Sequence, residues 1–382
     1  MHIKLRKSQF LKVLSHQSAV VNKRSTVPIL SHGVLNVISD SCEVIGTDLD
    51  ICLLETMECE VISGGVCTFP VHMLCETVKR LDEDNPIEVK FSKKSLEVTS
   101  GASNFVFDVL SVDGFPLDYA NFRNLFAISD SELSFSINRL DLLSLINRTH
   151  FCMSLEETRY AINGIYFHFK DGKFFAVATD GHRLAVSSVL LDVQVLPSEG
   201  VIVHRKTIIE VRRILLESVC ENVKVKILNG QIVFIVDDLI FVSKVIDAKF
   251  PDYVRIIPNR IGENMRSVEL KSRDLANSIM KISSVSEEKN KIIKMKFQPD
   301  GNVNMLYNDA LVSAEDVVKI VSSDISSVVR IGFNARYVLD VAMNSANETI
   351  KITFNESSSD AAVVFDCFEN AFSVLMPVRL SS

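Results

Sequence analysis

At 382 residues the chain is too long for one ordinary domain, and size alone points to two or three. A hydrophobic fraction of 47% is enough for real cores and carries no bias towards disorder. The formal net charge of −7 argues against a simple phosphate-binding module.

The N-terminus, MHIKLRKSQFLKVL, scatters charge among its apolar residues, so it lacks the h-region of a signal peptide. No later apolar run approaches the roughly 20 residues of a membrane-spanning helix, and a cytosolic protein that does not engage a membrane is expected. Eight cysteines (Cys42, Cys52, Cys59, Cys67, Cys75, Cys152, Cys220 and Cys367) form no CxxC pair and no metal-ligand spacing with histidine. They read as reduced side chains, several of them buried in strands. No metal site and no cofactor is expected.

In chain order, a first helix begins near Ser8 (SQFLKVLSHQ) and a second spans 70–81 (PVHMLCETVKRL), leading into the alternating strand Ile87–Phe91. A third helix starts near Asn138 (NRLDLLSLIN), with Leu140, Leu143 and Ile146 spaced as one buried face. A hairpin follows at Asp171-Gly172, then a helix over 204–215 and the strand Val223–Ile227, with another hairpin at Asn229-Gly230. The same order returns: a helix from Ser272, a hairpin at Asp300-Gly301, a helix over 334–345 and the strand Ile350–Phe354. Ser8, Asn138 and Ser272 are cap residues able to accept from first-turn amides.

Matching helices recur about every 130 residues, the mark of an internal repeat. The chain therefore reads as an α+β protein of three tandem copies of one domain, 1–128, 129–262 and 263–382. Each copy is expected to pack two helices on antiparallel sheets. The charge divides with the elements. Residues 5–24 carry +5 and 203–216 carry +3; the six helical segments total +11, leaving −18 for the rest. Helices facing one way would present a positive field to phosphates without reading bases, backed by an acidic exterior. Arg205 and Lys206, on the basic helix, are electrostatic candidates for that face.

Several segments, in order, resemble the bacterial DNA sliding clamps, the β subunits of DNA polymerase III. Lys23-Arg24-Ser25-Thr26-Val27-Pro28-Ile29-Leu30 is similar to their R-x-T-x-P-I-L segment, and Gly46-Thr47-Asp48-Leu49-Asp50 to their TDLE strand end. Asn163-Gly164 and Ala178-Thr179-Asp180-Gly181-His182-Arg183-Leu184-Ala185 resemble the ATDGHRLA hallmark of the second domain. Phe250-Pro251-Asp252-Tyr253, Gly332-Phe333-Asn334, Tyr337 to Asp340 and Met376-Pro377-Val378-Arg379-Leu380 complete the series.

The resemblance implies a head-to-tail homodimer whose six similar domains form a ring around double-stranded DNA. Helices would line the hole, and binding would be independent of sequence. Its function would be that of a processivity factor rather than an enzyme. It implies a peptide pocket of Ile162, Thr179, Gly181, His182, Arg183, Leu184, Pro251, Arg255, Ile256, Asn334, Tyr337, Val374, Leu375, Met376, Pro377, Val378, Arg379 and Leu380. Partners would be the polymerase III alpha subunit, the clamp-loader delta subunit and other proteins carrying short Gln- and Leu/Phe-containing motifs. Arg24 and Tyr160 match DNA-contacting positions, and His72 stands where the family carries Arg. Phe105, with Phe107, matches the dimer interface.

Departures from the family pattern are Glu156 and Ala161 near the DNA face, and Ala102 and Asn104 for arginines beside Phe105. Asn290, Ser358 and Asp360 differ at the pocket edge, and Ser381 and Ser382 extend the tail. Two rival readings remain open here. One is a repeat-built scaffold or DNA-binding protein that never closes into a ring. The other is a hydrolase using Asp180 and His182, for which the sequence supplies no nucleophile motif.

Overall fold

Apolar stripes at helical spacing produce six helices among the described residues: α1 (Lys7–Val20), α2 (Val71–Lys79), α3 (Arg139–Asn147), α4 (Arg205–Glu217), α5 (Ser272–Ser283) and α6 (Ala335–Met343). The structure, a computed structural model, describes residues 1–38, 41–92, 94–118, 122, 134–191, 200–228, 230–285, 291–345 and 348–380. Asn229, Asn290, Ser381, Ser382 and the expected domain boundary near 128 lie outside the described residues.

Of the three expected caps, Asn138 acts as one: its Oδ1 accepts from Leu140 N at 2.9 Å. Ser8 and Ser272 are already inside their helices, which are entered from Arg6 and Lys271 without a side-chain cap. The cap position thus falls on a basic residue ahead of each hydroxyl. Leu140 also departs from expectation, being 58% exposed. The stripe that α3 buries is Leu142, Leu143, Leu145 and Ile146, and Leu140 falls on the opposite side of the wheel.

The hairpins follow their turn chemistry. Asp171 and Gly172 both take positive φ (50° and 69°) between paired Lys170 and Lys173, as a two-residue turn requires. Asp300-Gly301 instead belongs to a three-residue loop between Gln298 and Asn302, with Gly301 alone left-handed. Pro299 adds the extra residue.

The chain divides into two compact units. One comprises Met1–Leu143 with Lys206–Val245, the other Ser144–Arg205 with Ile246–Ser382, so the central segment contributes to both. In the first unit, a five-stranded antiparallel sheet runs Glu60–Ser63, His2–Leu5, Ile87–Ser92, Ser95–Ser100, Ser103–Asp108. A second sheet includes Leu239–Ile246 paired with Ile51–Glu58, joining central and N-terminal segments. α1 and α2 fill one core with these sheets through Phe10, Leu14, Leu74 and Val78 against Leu35, Phe69, Val89 and Val98.

The second unit repeats the scheme. α5 and α6 bury Leu275, Ile279, Val338 and Val341 against Met295, Phe297, Phe333 and Phe354. Strand Ala371–Leu375 pairs with Arg183–Leu190, again joining two segments of the chain. All eight cysteines are free, and six are buried, where desolvation pushes the Cys67 and Cys367 thiols up to about 12.

One turn occurs three times. Each is a four-residue loop closed by a strand pair, Thr47 with Cys52, Thr179 with Leu184 and Asn308 with Ser313. An aspartate opens each loop, and its Oδ1 accepts two amides. Asp48 takes Asp50 N and Ile51 N at 3.0 and 2.7 Å. Asp180 takes His182 N and Arg183 N at 3.0 and 3.1 Å, and Asp309 takes Leu311 N and Val312 N at 2.8 Å each. The short carboxylate satisfies donors that a tight turn would otherwise leave open.

Candidate functional site

The second oxygen of each turn aspartate has a different donor. Tyr307 Oη donates to Asp309 at 2.9 Å, Lys206 Nζ to Asp48 at 2.5 Å, and Arg183 Nε to Asp180 at 2.9 Å. The middle copy belongs to the second unit, as do all the predicted pocket residues.

Arg183 is buried, its side chain 6% exposed, and spends its donors in three directions. Beyond Asp180, Nη1 donates to Asp340 Oδ2 at 2.7 Å and Nη2 to the Phe151 carbonyl at 2.6 Å. Its guanidinium also lies 4.3 Å from the centre of the Tyr337 ring. Burial works against the charge, but Cys152, Asp340 and Asp180 together hold the guanidinium above its ordinary pKa. Arg183 is therefore a strut fixing the turn to α6, rather than an exposed contact.

The strut orients what remains exposed. The His182 ring stacks on Tyr337 with centroids 6.4 Å apart. Thr179 Oγ1 donates to Arg183 O at 2.6 Å and accepts from Gly181 N at 3.1 Å. Gly181 has φ +91°, and a Cβ there would stand 2.5 Å from Arg159 Nη2. Arg159 Nη1 donates to the Asp180 carbonyl at 2.8 Å, so it belongs to the site although nothing in its local sequence marks it. Asp340 was marked as the end of the Tyr337 to Asp340 segment that resembles the family, but without a role; it stands about one helical turn after Tyr337.

The C-terminal tail closes one side. Arg183 pairs with Leu375 and Leu184 with Val374, and Met376 N donates to His182 O at 3.0 Å. Val378 N then donates to Gly332 O at 2.8 Å, laying the tail across the strand that ends in Asn334. A side chain at 332 would meet the Val378 carbonyl at 2.6 Å, so the tail's path requires glycine. Asn334 caps α6, its Oδ1 accepting from Arg336 N at 3.0 Å.

Ile162, Leu184 and Val374 are buried in one cluster with Phe250 and Tyr253, as floor rather than contact surface. Leu375 is buried in the neighbouring core of α5 and α6. His182, Pro251, Arg255, Ile256, Met376 and Arg379 are exposed, and Tyr337, Pro377, Val378 and Leu380 are half-buried. Asp360, a departure from the family pattern, pairs with Arg379 at 3.2 Å. The Asp180 carboxylate is occupied by its own turn amides and Arg183, which leaves it poorly disposed to orient the His182 ring as a base.

The family profile described as DNA polymerase III beta subunit, N-terminal domain, matches residues 1–119. Those for its central and C-terminal domains match residues 136–252 and 254–379. The chain belongs to the DNA polymerase III beta subunit family. The beta sliding clamp of Caulobacter vibrioides is 33% identical over the full length of both chains, and that of Pseudomonas aeruginosa 32%. Among solved structures, a Caulobacter crescentus beta sliding clamp superposes with a TM-score of 0.89 at 31% identity, covering all of this chain and 99% of that one. A Bartonella birtlesii sliding clamp bound to griselimycin superposes at 0.88 and 30%, with both chains fully covered. This sliding clamp is a non-catalytic processivity subunit built of three tandem clamp domains.

Of the clamp's other predicted residues, Arg24, His72, Phe105, Phe107 and Lys206 belong to the first unit, and Tyr160 and Arg205 to the second. Arg24 and Tyr160 are exposed. His72 Nε2 lies 2.9 Å from the Val21 carbonyl, so its ring closes the end of α1. Lys206 Nζ is held by Asp48 and the Val20 carbonyl, which neutralises the charge that the basic helix contributes there; Arg205 is half-buried. Phe105 is 37% exposed on strand Ser103–Asp108, while Phe107 packs against the core of the first unit. Among the described residues, no helix is long and apolar enough to cross a membrane.

Proposed function

We propose that two copies of this clamp close head to tail into a six-domain ring around duplex DNA, the domains dividing near residues 128 and 262. Each copy captures peptide motifs of the polymerase III alpha subunit, the clamp-loader delta subunit and similar partners at the Thr179–Leu184 site. The setting is the bacterial cytoplasm.

The observation that carries the ring is a junction made twice within one chain. Leu239–Ile246, the last strand of the second repeat, pairs with Ile51–Glu58, the strand after the Asp48 turn. Ala371–Leu375, the last strand of the third, pairs with Arg183–Leu190, the strand after the Asp180 turn. Among the described residues, the series leaves one pair unused: Ser103–Asp108, the last described strand of the first repeat, and Ser313–Ser323, after the Asp309 turn. Ser103–Asp108 ends its sheet among the described residues, and among these the other strand pairs over residues 313–319 on one side only, with Asn302–Asn308.

Open edges invite pairing with another chain. A heterologous contact that joins the end of one chain to the start of the next forms a ring when its rotation closes. Carrying the observed register over sets Val106 opposite the partner's Ser313, and Phe105 opposite the partner's Ala314. The exposed Arg24 and Tyr160, with Arg205 and His72, would face phosphates without reading bases. The exposed His182, Ile256 and Met376 beside Tyr337 suit an apolar peptide with one or two polar anchors.

The decisive experiment loads the protein onto a nicked circle. Once loaded, it should survive a wash at about 0.5 M salt, where screening is severe, and leave when the circle is linearised. Retention unchanged by linearisation would mean that contact, not linkage, holds it. Deleting residues 376–382 should abolish binding of the peptide Gln-Leu-Ala-Leu-Phe while leaving the dimer intact.

A further inference from the structure

The segment carrying Pro251, Arg255 and Ile256 has an unusual attachment. Between strands Leu239–Ile246 and Met265–Lys271 it forms a single 3-10 turn, Tyr253–Ile256, and it pairs with no strand among the described residues. Pro251, Asp252, Val254, Arg255 and Ile256 are all exposed. The segment's two buried side chains are Phe250 at 7% exposure and Tyr253 at 9%, with Ala248 and Ile257 partly buried against the same cluster.

Both meet one aromatic stack on strand Gly164–Lys170. Phe250 lies parallel to Tyr166, with centroids 4.8 Å apart and planes at 8°. Tyr166 stacks on His168 at 5.0 Å, and His168 on Phe175 at 4.9 Å with planes at 2°. His168 Nε2 then lies 2.9 Å from Tyr253 Oη, in a buried contact between residues 85 apart in sequence. We propose that the His168–Tyr253 hydrogen bond, made from an inner ring of this stack, is a positioning device that sets the height and angle of the Pro251–Ile256 segment over the peptide site.

Such a device rests on the peptide-capture reading above. A segment without ladder hydrogen bonds opens locally at low cost unless side chains anchor it. Stacked rings hold it against the sheet but leave it free to slide, because offset stacking has a broad minimum. A directed hydrogen bond in a buried site removes that freedom, since either group left unpaired bears its full desolvation cost. Burial raises the Tyr253 phenol to about 12 and lowers the His168 ring, which keeps both partners neutral and the bond intact. Neither residue touches the peptide itself in this scheme.

The test uses the full-length protein and the peptide Gln-Leu-Ala-Leu-Phe, read by calorimetry, with hydrogen exchange of residues 250–257. Tyr253→Phe keeps the ring and removes the hydroxyl. It should weaken peptide affinity about three- to tenfold, the size of one hydrogen bond, and speed exchange in that segment while leaving α5 and α6 protected. His168→Phe together with Tyr253→Phe replaces both polar partners by rings. It should relieve the unpaired group yet leave affinity about three- to tenfold below wild type, because rings alone let the segment slide. Affinity back within about twofold of wild type would overturn the inference. Unchanged affinity in Tyr253→Phe, or protection lost evenly across the second unit, overturns the inference. Absence of peptide binding by the wild-type protein overturns instead the peptide-capture reading on which it rests.

Discussion

Arg183 and Asp340, 157 residues apart, are joined by a 2.7 Å charge-assisted hydrogen bond that ties the Asp180 turn to helix α6. The guanidinium has no water to fall back on, while Asp340 keeps a partly open face, its side chain 27% exposed. Asp340→Asn keeps an acceptor but removes the charge. It is expected to cost about 1–3 kcal/mol, below the value for a fully stranded buried charge because Asp180 and the Phe151 carbonyl remain. Thermal unfolding should report that loss, and peptide affinity should fall with it because Tyr337 stacks on the same strut.

Arg24 and Lys206 should behave differently despite equal formal charge. Arg24 is exposed, whereas Lys206 is committed to Asp48 and Val20 O. Arg24→Ala should weaken binding to linear DNA and reduce the salt slope by about 0.9 for each phosphate that the side chain had neutralised. Lys206→Ala should lower the thermal midpoint and leave that slope nearly unchanged. Binding titrations at several salt concentrations separate the two.

The junction between protomers can be tested by register. Facing residues on antiparallel strands have Cα atoms roughly 4.5–5.5 Å apart, within disulfide reach. Val106→Cys combined with Ser313→Cys should yield a covalent dimer under mild oxidation, and Val106→Cys alone should not. Phe105→Ala should weaken the dimer by about 2–4 kcal/mol, as for a packed interface anchor, read by sedimentation equilibrium.

The buried His168 should give stability a pH dependence of known sign. Desolvation lowers its pKa from 6.5, with a backbone hydrogen bond to Phe169 opposing it. The unfolded chain therefore binds the proton more readily than the folded one. This contribution is fully present above pH 6.5 and is lost as pH falls towards the depressed folded value. Between about pH 7.5 and 5.5, the range where imidazoles titrate, the thermal midpoint of the wild type should fall further than that of His168→Phe.

The exposed end of the site was legible because its residues sit in contiguous motifs: Thr179 to Leu184, Tyr337 and the Met376–Leu380 tail. Their neighbours were not. Arg159 enters through a side chain reaching the Asp180 carbonyl, and His168 through a ring on the far end of a strand, neither with a local pattern to declare it. Arg183 was expected as a pocket contact, and the structure buries it as a strut beside the Asp180 turn. A motif records that a residue belongs to a place without recording which way it turns.

The sequence by itself determined the threefold repeat, the six helices of the described residues and the antiparallel strands. These follow from periodicity and turn chemistry, which act over a few residues and so are written locally. Only the tertiary structure decided which donor each turn aspartate receives: Lys206 for Asp48, from 158 residues away, Arg183 for Asp180 and Tyr307 for Asp309. The three turns are alike in backbone and differ in what the fold brings beside them. A carboxylate's partner depends on which strand edges and helices meet, and that is set by long-range packing, to which hydrophobic spacing is blind.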